Sequence, residues 1–173
     1  YHCVVDYRVG ELIMAASVCS MIDARTSPSL IRNIVDLADR TGLVIDKADL
    51  LHSVQERERL GSTALTGGYA VLHTQHHDPY LFEESFLCIA RTSAPIPFRS
   101  LDGQTTDIFF LLCCQDDRLH LHTLARLCLM ARCTPLIYDL RDAADEKEMI
   151  QAMHSAEEVV LKKQPASRMR KTK

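Results

Sequence analysis

Three observations predict an α/β domain. Apolar residues recur at helical spacing in four segments, short apolar runs of strand length stand between them, and the helical segments fall in pairs around the separated strands. With 173 residues, one domain is the default, and a chain of this length buries roughly two-thirds of its unfolded surface without disulfides or a structural metal.

Residues 1 to 10 show no period and read as a linker or an added strand. The first helix is expected to start at Ser27, acting as N-cap with Pro28 at the first helical position. Leu30, Ile31, Ile34, Val35, Leu37 and Ala38 supply its apolar stripe, and Thr41-Gly42 ends it. Asp46 opens a second helix with Ala48, Leu50, Leu51 and Val54 as apolar positions; this runs through the charged stretch Gln55 to Arg59 and breaks at Gly61. Residues 61 to 68 form a loop of small residues rich in hydrogen-bond donors. Tyr69 to Leu72, Ser85 to Ala90 and Ile108 to Cys113 read as strands, the last two as inner ones. Pro95-Ile96-Pro97 is expected at an edge or turn, because proline has no N–H for a central ladder. His120 to about Arg132 and Asp145 to about Met153 complete the set as helices.

Composition removes whole classes of function. Hydrophobic residues make up 47% and charged residues 25%, the formal charge is −3 and the isoelectric point is near 6.2, so no overall field draws the chain to nucleic acid or anionic lipid. No apolar run approaches the roughly 18 to 20 residues that span a bilayer. The near-neutral total is uneven: six basic and no acidic residues lie between Lys162 and Lys173, leaving 14 basic against 23 acidic side chains, a net −9, in the rest. That tail is expected to be solvated and disordered. Tyr1 in place of Met suggests a fragment or a processed start, and the apolar stretch from Leu12 to Val18 lacks the basic lead-in and cleavage motif of a signal peptide. The seven cysteines (3, 19, 88, 113, 114, 128, 133) are odd in number, contain no C-x-x-C and sit mostly in apolar runs. They read as structural thiols in a reducing cytoplasm. Cys113 and Cys114 are adjacent, so on a strand they face opposite ways and do not form a metal claw.

Eight histidines are present. His73, His76 and His77 cluster after the first expected strand, and His120 and His122 open a helix. The first group does not match H-E-x-x-H, since Thr74 stands in place of Glu and the second His is at i+3. No metal site is therefore expected, and a transition-metal site on His73, His76 and His77 is kept only as a minor reading.

The run Glu56-Arg57-Glu58-Arg59-Leu60-Gly61-Ser62-Thr63-Ala64-Leu65-Thr66-Gly67-Gly68-Tyr69-Ala70-Val71-Leu72-His73 resembles the R-E-x-[LM]-G-S-T-x-[ILV]-x-x-G-[IV]-A-[IV]-P-H segment of phosphotransferase-system enzyme IIA domains of the fructose, mannitol and nitrogen-regulatory type. Ala94 to Phe98, Asp102, the strand Asp107 to Cys113 and His120-Leu121-His122-Thr123-Leu124 follow in the family's order and spacing. The resemblance covers about residues 12 to 155 and looks strongest to the nitrogen-regulatory branch, through the Gly-Ser-Thr loop and the His-Leu-His-Thr-Leu helix start. It divides the chain into a linker or extension (1–11), the domain (12–155) and the basic tail (156–173). It implies a single domain with a mixed, mainly parallel sheet of about five strands and helices on both faces.

By that resemblance His73 matches the histidine phosphorylated on a ring nitrogen by a small phosphocarrier protein, Arg57 the arginine beside it, and His120 the second active-site histidine. The residue types suit the chemistry. A neutral imidazole is a good nucleophile near pH 7, and phosphoryl transfer depends mostly on positioning and electrostatic stabilisation. Arg57 offers a charge-assisted fork to phosphoryl oxygens, with Ser62 and Thr63 as expected further donors and His120 as a donor or orienting group. No cofactor is implied. The acceptor would be a regulated protein or a sugar-permease component, in the cytoplasm. The chain departs from the pattern at Leu72, where the family has Pro, at Thr74, where it has a small residue, and over Gln75 to Glu84. These departures are expected to lie on the surface that a phosphate donor would approach. The alternative reading is therefore a non-catalytic interaction module of a larger regulatory protein, with nucleic acid involved only through a DNA-binding domain ahead of Tyr1.

Overall fold

The computed structural model describes residues 7–76, 78 and 80–163. Cys3, His77, the first six residues of the expected linker and the basic stretch from 164 onward lie outside the described residues. Two short 3-10 turns, Val9–Leu12 and Ala15–Ser17, lead into strand β1 (Val18–Ile22). Helices α1 (Ser27–Asp39) and α2 (Lys47–Leu60) follow, then β2 (Ala64–Leu65), β3 (Tyr69–His73), β4 (Phe86–Ile96) and β5 (Thr106–Cys113). Helices α3 (Asp117–Cys133), α4 (Leu136–Asp142) and α5 (Glu146–Lys163) close the chain.

The five strands form one mixed sheet in the order β1-β4-β5-β3-β2. β1 runs parallel to β4 and β3 parallel to β5, while the β4/β5 and β2/β3 joins are antiparallel. Period-two alternation sends side chains to two separate cores. Ala70, Leu72, Phe86, Cys88, Phe109 and Leu111 face the layer of α1 and α2. Tyr69, Val71, Leu87, Ile89, Phe110 and Leu112 face the other core, shared with α3, α4 and α5. Cys113 and Cys114 fall on opposite faces, as their adjacency requires. Burial pushes the Cys113 thiol up, helped by its hydrogen bond with Cys88, and raises Cys114 to about 12. Both are inert thiols at neutral pH.

Several boundaries differ from the sequence expectation. Thr26 rather than Ser27 caps α1, its hydroxyl accepting from the Ser29 amide at 3.2 Å while Pro28 sits in the first turn. α3 starts at Asp117 under an Asp116 cap, which puts His120 one turn inside the helix. β4 continues through Pro95: the ladder to β5 is interrupted between Arg91 and Ile96 and resumes at Ile96 opposite Thr106, so the missing proline N–H falls in the gap. The expected boundary at 155/156 lies inside α5, whose Ala156, Glu157 and Val160 are buried. Val9 and Gly10, assigned to a linker, are buried as well. Their amides donate to the Glu157 carboxylate at 2.7 and 2.9 Å, and Glu157 also meets Arg126 of α3 at 3.3 Å.

Gly68, at φ +82°, turns the chain between β2 and β3, and a Cβ there would sit 2.4 Å from Arg141 Nη2 and 3.2 Å from the Thr105 carbonyl oxygen. Arg141 is fixed in place by Asp107 and the Gly67 carbonyl oxygen. Gly68→Ala is expected to cost about 1–3 kcal/mol from left-handed backbone strain plus the clash. Thermal melts should show the loss, and an unchanged Tm would mean that the turn relaxes freely.

Candidate functional site

The site lies at the C-terminal end of β3. Leu72 and Thr74 are both buried, so these two departures do not lie on the surface expected to meet a phosphate donor, while His73 between them emerges half-buried as the last residue of the strand. α2 packs Leu50 and Val54 into the core and leaves its other faces polar. This brings Arg57, near its C-terminus, over the imidazole. Arg57 Nε donates to His73 Nε2 at 3.1 Å, and Arg57 Nη1 donates to the Gly61 carbonyl oxygen at 2.9 Å. A guanidinium has only donors, so Nε2 is the acceptor and Nδ1 carries the proton. Nδ1 then donates to the Val71 carbonyl oxygen at 3.2 Å. The second histidine comes from the opposite helical layer. His120 is buried in the first turns of α3, its ring centroid 4.7 Å from that of His73 at a tilt of 58°.

Ser62 and Thr63 belong to the loop that joins α2 to β2, and both hydroxyls are engaged there. Ser62 Oγ donates to the Phe98 carbonyl oxygen and accepts from the Ala64 amide at 3.0 Å. The Glu58 carboxylate takes both Thr63 donors, the amide at 3.1 Å and Oγ1 at 2.8 Å. The structure thus brings His73, Arg57 and His120 together, whereas Ser62 and Thr63 would reach a ligand on His73 only by releasing Phe98 and Glu58. Glu58 itself was not singled out by the sequence reading. Its signal was available in the Arg-Glu-x-Leu-Gly-Ser-Thr run, where an acid one position past the arginine lies on the same helix end.

His76 is exposed, and His122 meets the Tyr7 carbonyl oxygen at 3.4 Å. Among the described residues no group of three His, Cys, Asp or Glu side chains could hold a metal, and no helix is long and apolar enough to cross a membrane. What the arrangement offers is a nucleophilic nitrogen with its tautomer set, a fixed positive charge directly on it, and a second imidazole beside it. This suits acceptance of a compact anionic group.

Comparison with known proteins identifies the family and the fold. The family model described as "Phosphoenolpyruvate-dependent sugar phosphotransferase system, EIIA 2" matches residues 11–156. A nitrogen regulatory protein of Bradyrhizobium diazoefficiens is 38% identical over 92 residues, covering 52% of this chain; the match spans 58% of that relative. Among solved structures, the nitrogen regulatory protein IIA-Ntr from Neisseria meningitidis superposes with a TM-score of 0.75 at 22% identity, covering 84% of this chain and 98% of its own. The Escherichia coli mannitol IIA, solved in complex with its phosphorylated IIB, gives a TM-score of 0.71 at 13% identity, over 83% of this chain and 97% of that one.

Proposed function

Because the chain belongs to the phosphotransferase-system EIIA 2 family, we propose that it accepts a phosphoryl group on His73 Nε2 from the phosphohistidine of a small phosphocarrier protein, in the cytoplasm. The observation that carries this reading is the 3.1 Å contact of Arg57 Nε with His73 Nε2. The Nε2 lone pair attacks phosphorus, the donor's P–N bond breaks, and that electron pair stays on the donor imidazole. Arg57 moves its fork from the lone pair to the equatorial oxygens, where charge develops. The ring keeps its Nδ1 proton on the Val71 carbonyl oxygen. The product is therefore a phosphorylated imidazolium, from which the group leaves readily.

His120 supports the same step as an orienting or donating partner at the positive end of α3. The downstream step is either relay to a sugar-permease component or control of a regulated protein by phosphorylation state. The 38% identity with a nitrogen regulatory protein favours the second.

Incubation with phosphoenolpyruvate, the upstream phosphotransfer enzyme and its carrier protein should place one acid-labile, base-stable phosphoryl group on the wild type and none on His73→Ala. An unlabelled wild type would leave the interaction-module reading in its place, and a label that survives His73→Ala would move the acceptor to another residue and overturn the assignment of His73.

A further inference from the structure

The two site residues that meet at His73 Nε2 are linked by a closed circuit of hydrogen bonds that passes through Glu58 and Thr63. From Arg57 the circuit runs to the Gly61 carbonyl oxygen at 2.9 Å, and the Gly61 amide returns to the Glu58 carbonyl oxygen at 3.3 Å. The Glu58 carboxylate takes the Thr63 amide and hydroxyl, the Thr63 carbonyl oxygen accepts from the Val71 amide at 3.1 Å, and the Val71 carbonyl oxygen receives His73 Nδ1. His73 Nε2 closes the path on Arg57.

We infer that Glu58 and Thr63 are positioning residues that set the tautomer of His73 and the aim of Arg57 without touching the transferred group. Gly61 is exposed and lies just past the end of α2, so its carbonyl oxygen has no regular ladder to hold it. The loop is held on one side by Ser62 on the Phe98 carbonyl oxygen and on the other by the two-pronged grip of Glu58 on Thr63, made by the residue next to Arg57 on the same helix. A carboxylate that accepts an amide and a hydroxyl together restrains direction as well as distance. Release of that grip lets the Gly61 carbonyl drift and frees Nη1, and Arg57 then loses the second anchor that keeps Nε on the lone pair of His73. The Thr63 carbonyl oxygen moves with it, loosening the Val71 peptide whose own carbonyl oxygen selects the proton on Nδ1.

This inference deepens the proposed function and rests on its choice of His73 as acceptor, but one of its readouts does not need phosphorylation. In long-range imidazole 15N–1H spectra of the full chain, wild-type His73 should appear as the Nδ1–H tautomer, and Glu58→Ala should show a substantial Nε2–H population. In the transfer assay, Glu58→Ala should slow labelling by about tenfold or more at saturating carrier protein, with KM for the carrier within about twofold, because the docking surface is untouched. Thr63→Val should shift both readouts in the same direction, and Thr63→Ser, which keeps the hydroxyl, should recover most of the loss. The valine and serine variants decide the matter alone if Glu58→Ala fails to fold. Wild-type spectra and rates in Glu58→Ala and Thr63→Val would overturn the inference, as would a serine variant no better than valine. An unlabelled wild type with the expected tautomer shifts would overturn the proposed function and leave the positioning role standing.

Discussion

Arg57→Ala is expected to slow phosphoryl acceptance by His73 about 10²- to 10³-fold, the usual loss when one preorganised donor to a developing oxyanion is removed. The helix end bearing Arg57 is half-buried and polar, and the arginine hydrogen-bonds the His73 ring nitrogen and one loop carbonyl oxygen. The fold should therefore survive the change. Arg57→Lys keeps the charge but not the planar fork. It cannot hold the Gly61 carbonyl and reach phosphoryl oxygens in the same geometry, so a loss of about tenfold should remain. Rapid-quench labelling at saturating carrier protein separates this from weaker docking. A rate for Arg57→Ala within a factor of about three of wild type would show that the His73 contact is incidental.

Glu157→Ala is expected to be the most destabilising single change, costing about 3–5 kcal/mol because it strands a buried guanidinium. Arg126 and Glu157 expose only 5% and 3% of their side chains. In a simple buried ion pair, replacing both partners with apolar residues is often neutral. Here the carboxylate also accepts the amides of Val9 and Gly10, while Arg126 Nη1 donates to the Tyr7 carbonyl oxygen at 2.8 Å. The double variant Arg126→Met, Glu157→Leu should therefore stay about 2 kcal/mol or more below the parent, since the stranded amides cost about 1–3 kcal/mol each. Urea denaturation measures both. A double variant as stable as the parent would mean that the leading segment finds other partners.

The sequence was most legible where local chemistry and tertiary context agree. Asp46 and Gly61 bound α2 as their types suggest, and the apolar runs of β3 and β5 are strands buried on both faces. The His73–Arg57–His120 grouping was readable only through the ordered motif, because charge alternation along α2 alone describes a solvated helix face. Other features depend on partners distant in sequence. β1 has only five residues and takes its register from β4. α4 carries no N-cap hydrogen bond, and its last turn is held by Arg91 of β4, which donates to the Leu140 and Ala143 carbonyl oxygens. Glu157 sits in a sequence stretch that looks like an exposed acidic helix, and its burial follows from amides some 150 residues earlier. The roles expected of Ser62 and Thr63 came from residue type alone, which does not reveal that Phe98 and Glu58 already hold them.

The two helical layers also have a kinetic meaning. Arg57 is carried by the layer on one face of the sheet and His120 by the layer on the other, while His73 stands on the strand between them. The imidazole thus works as a gauge of the thickness of the whole sandwich, and a displacement of about 1 Å at a reacting group is enough to change a rate by about 10². A methyl group gained or lost under α1, or beneath α5, resets the spacing of one jaw against the other. Reactivity of the histidine can then drift through substitutions in either core that lie far from any phosphate and leave every residue of the motif unchanged.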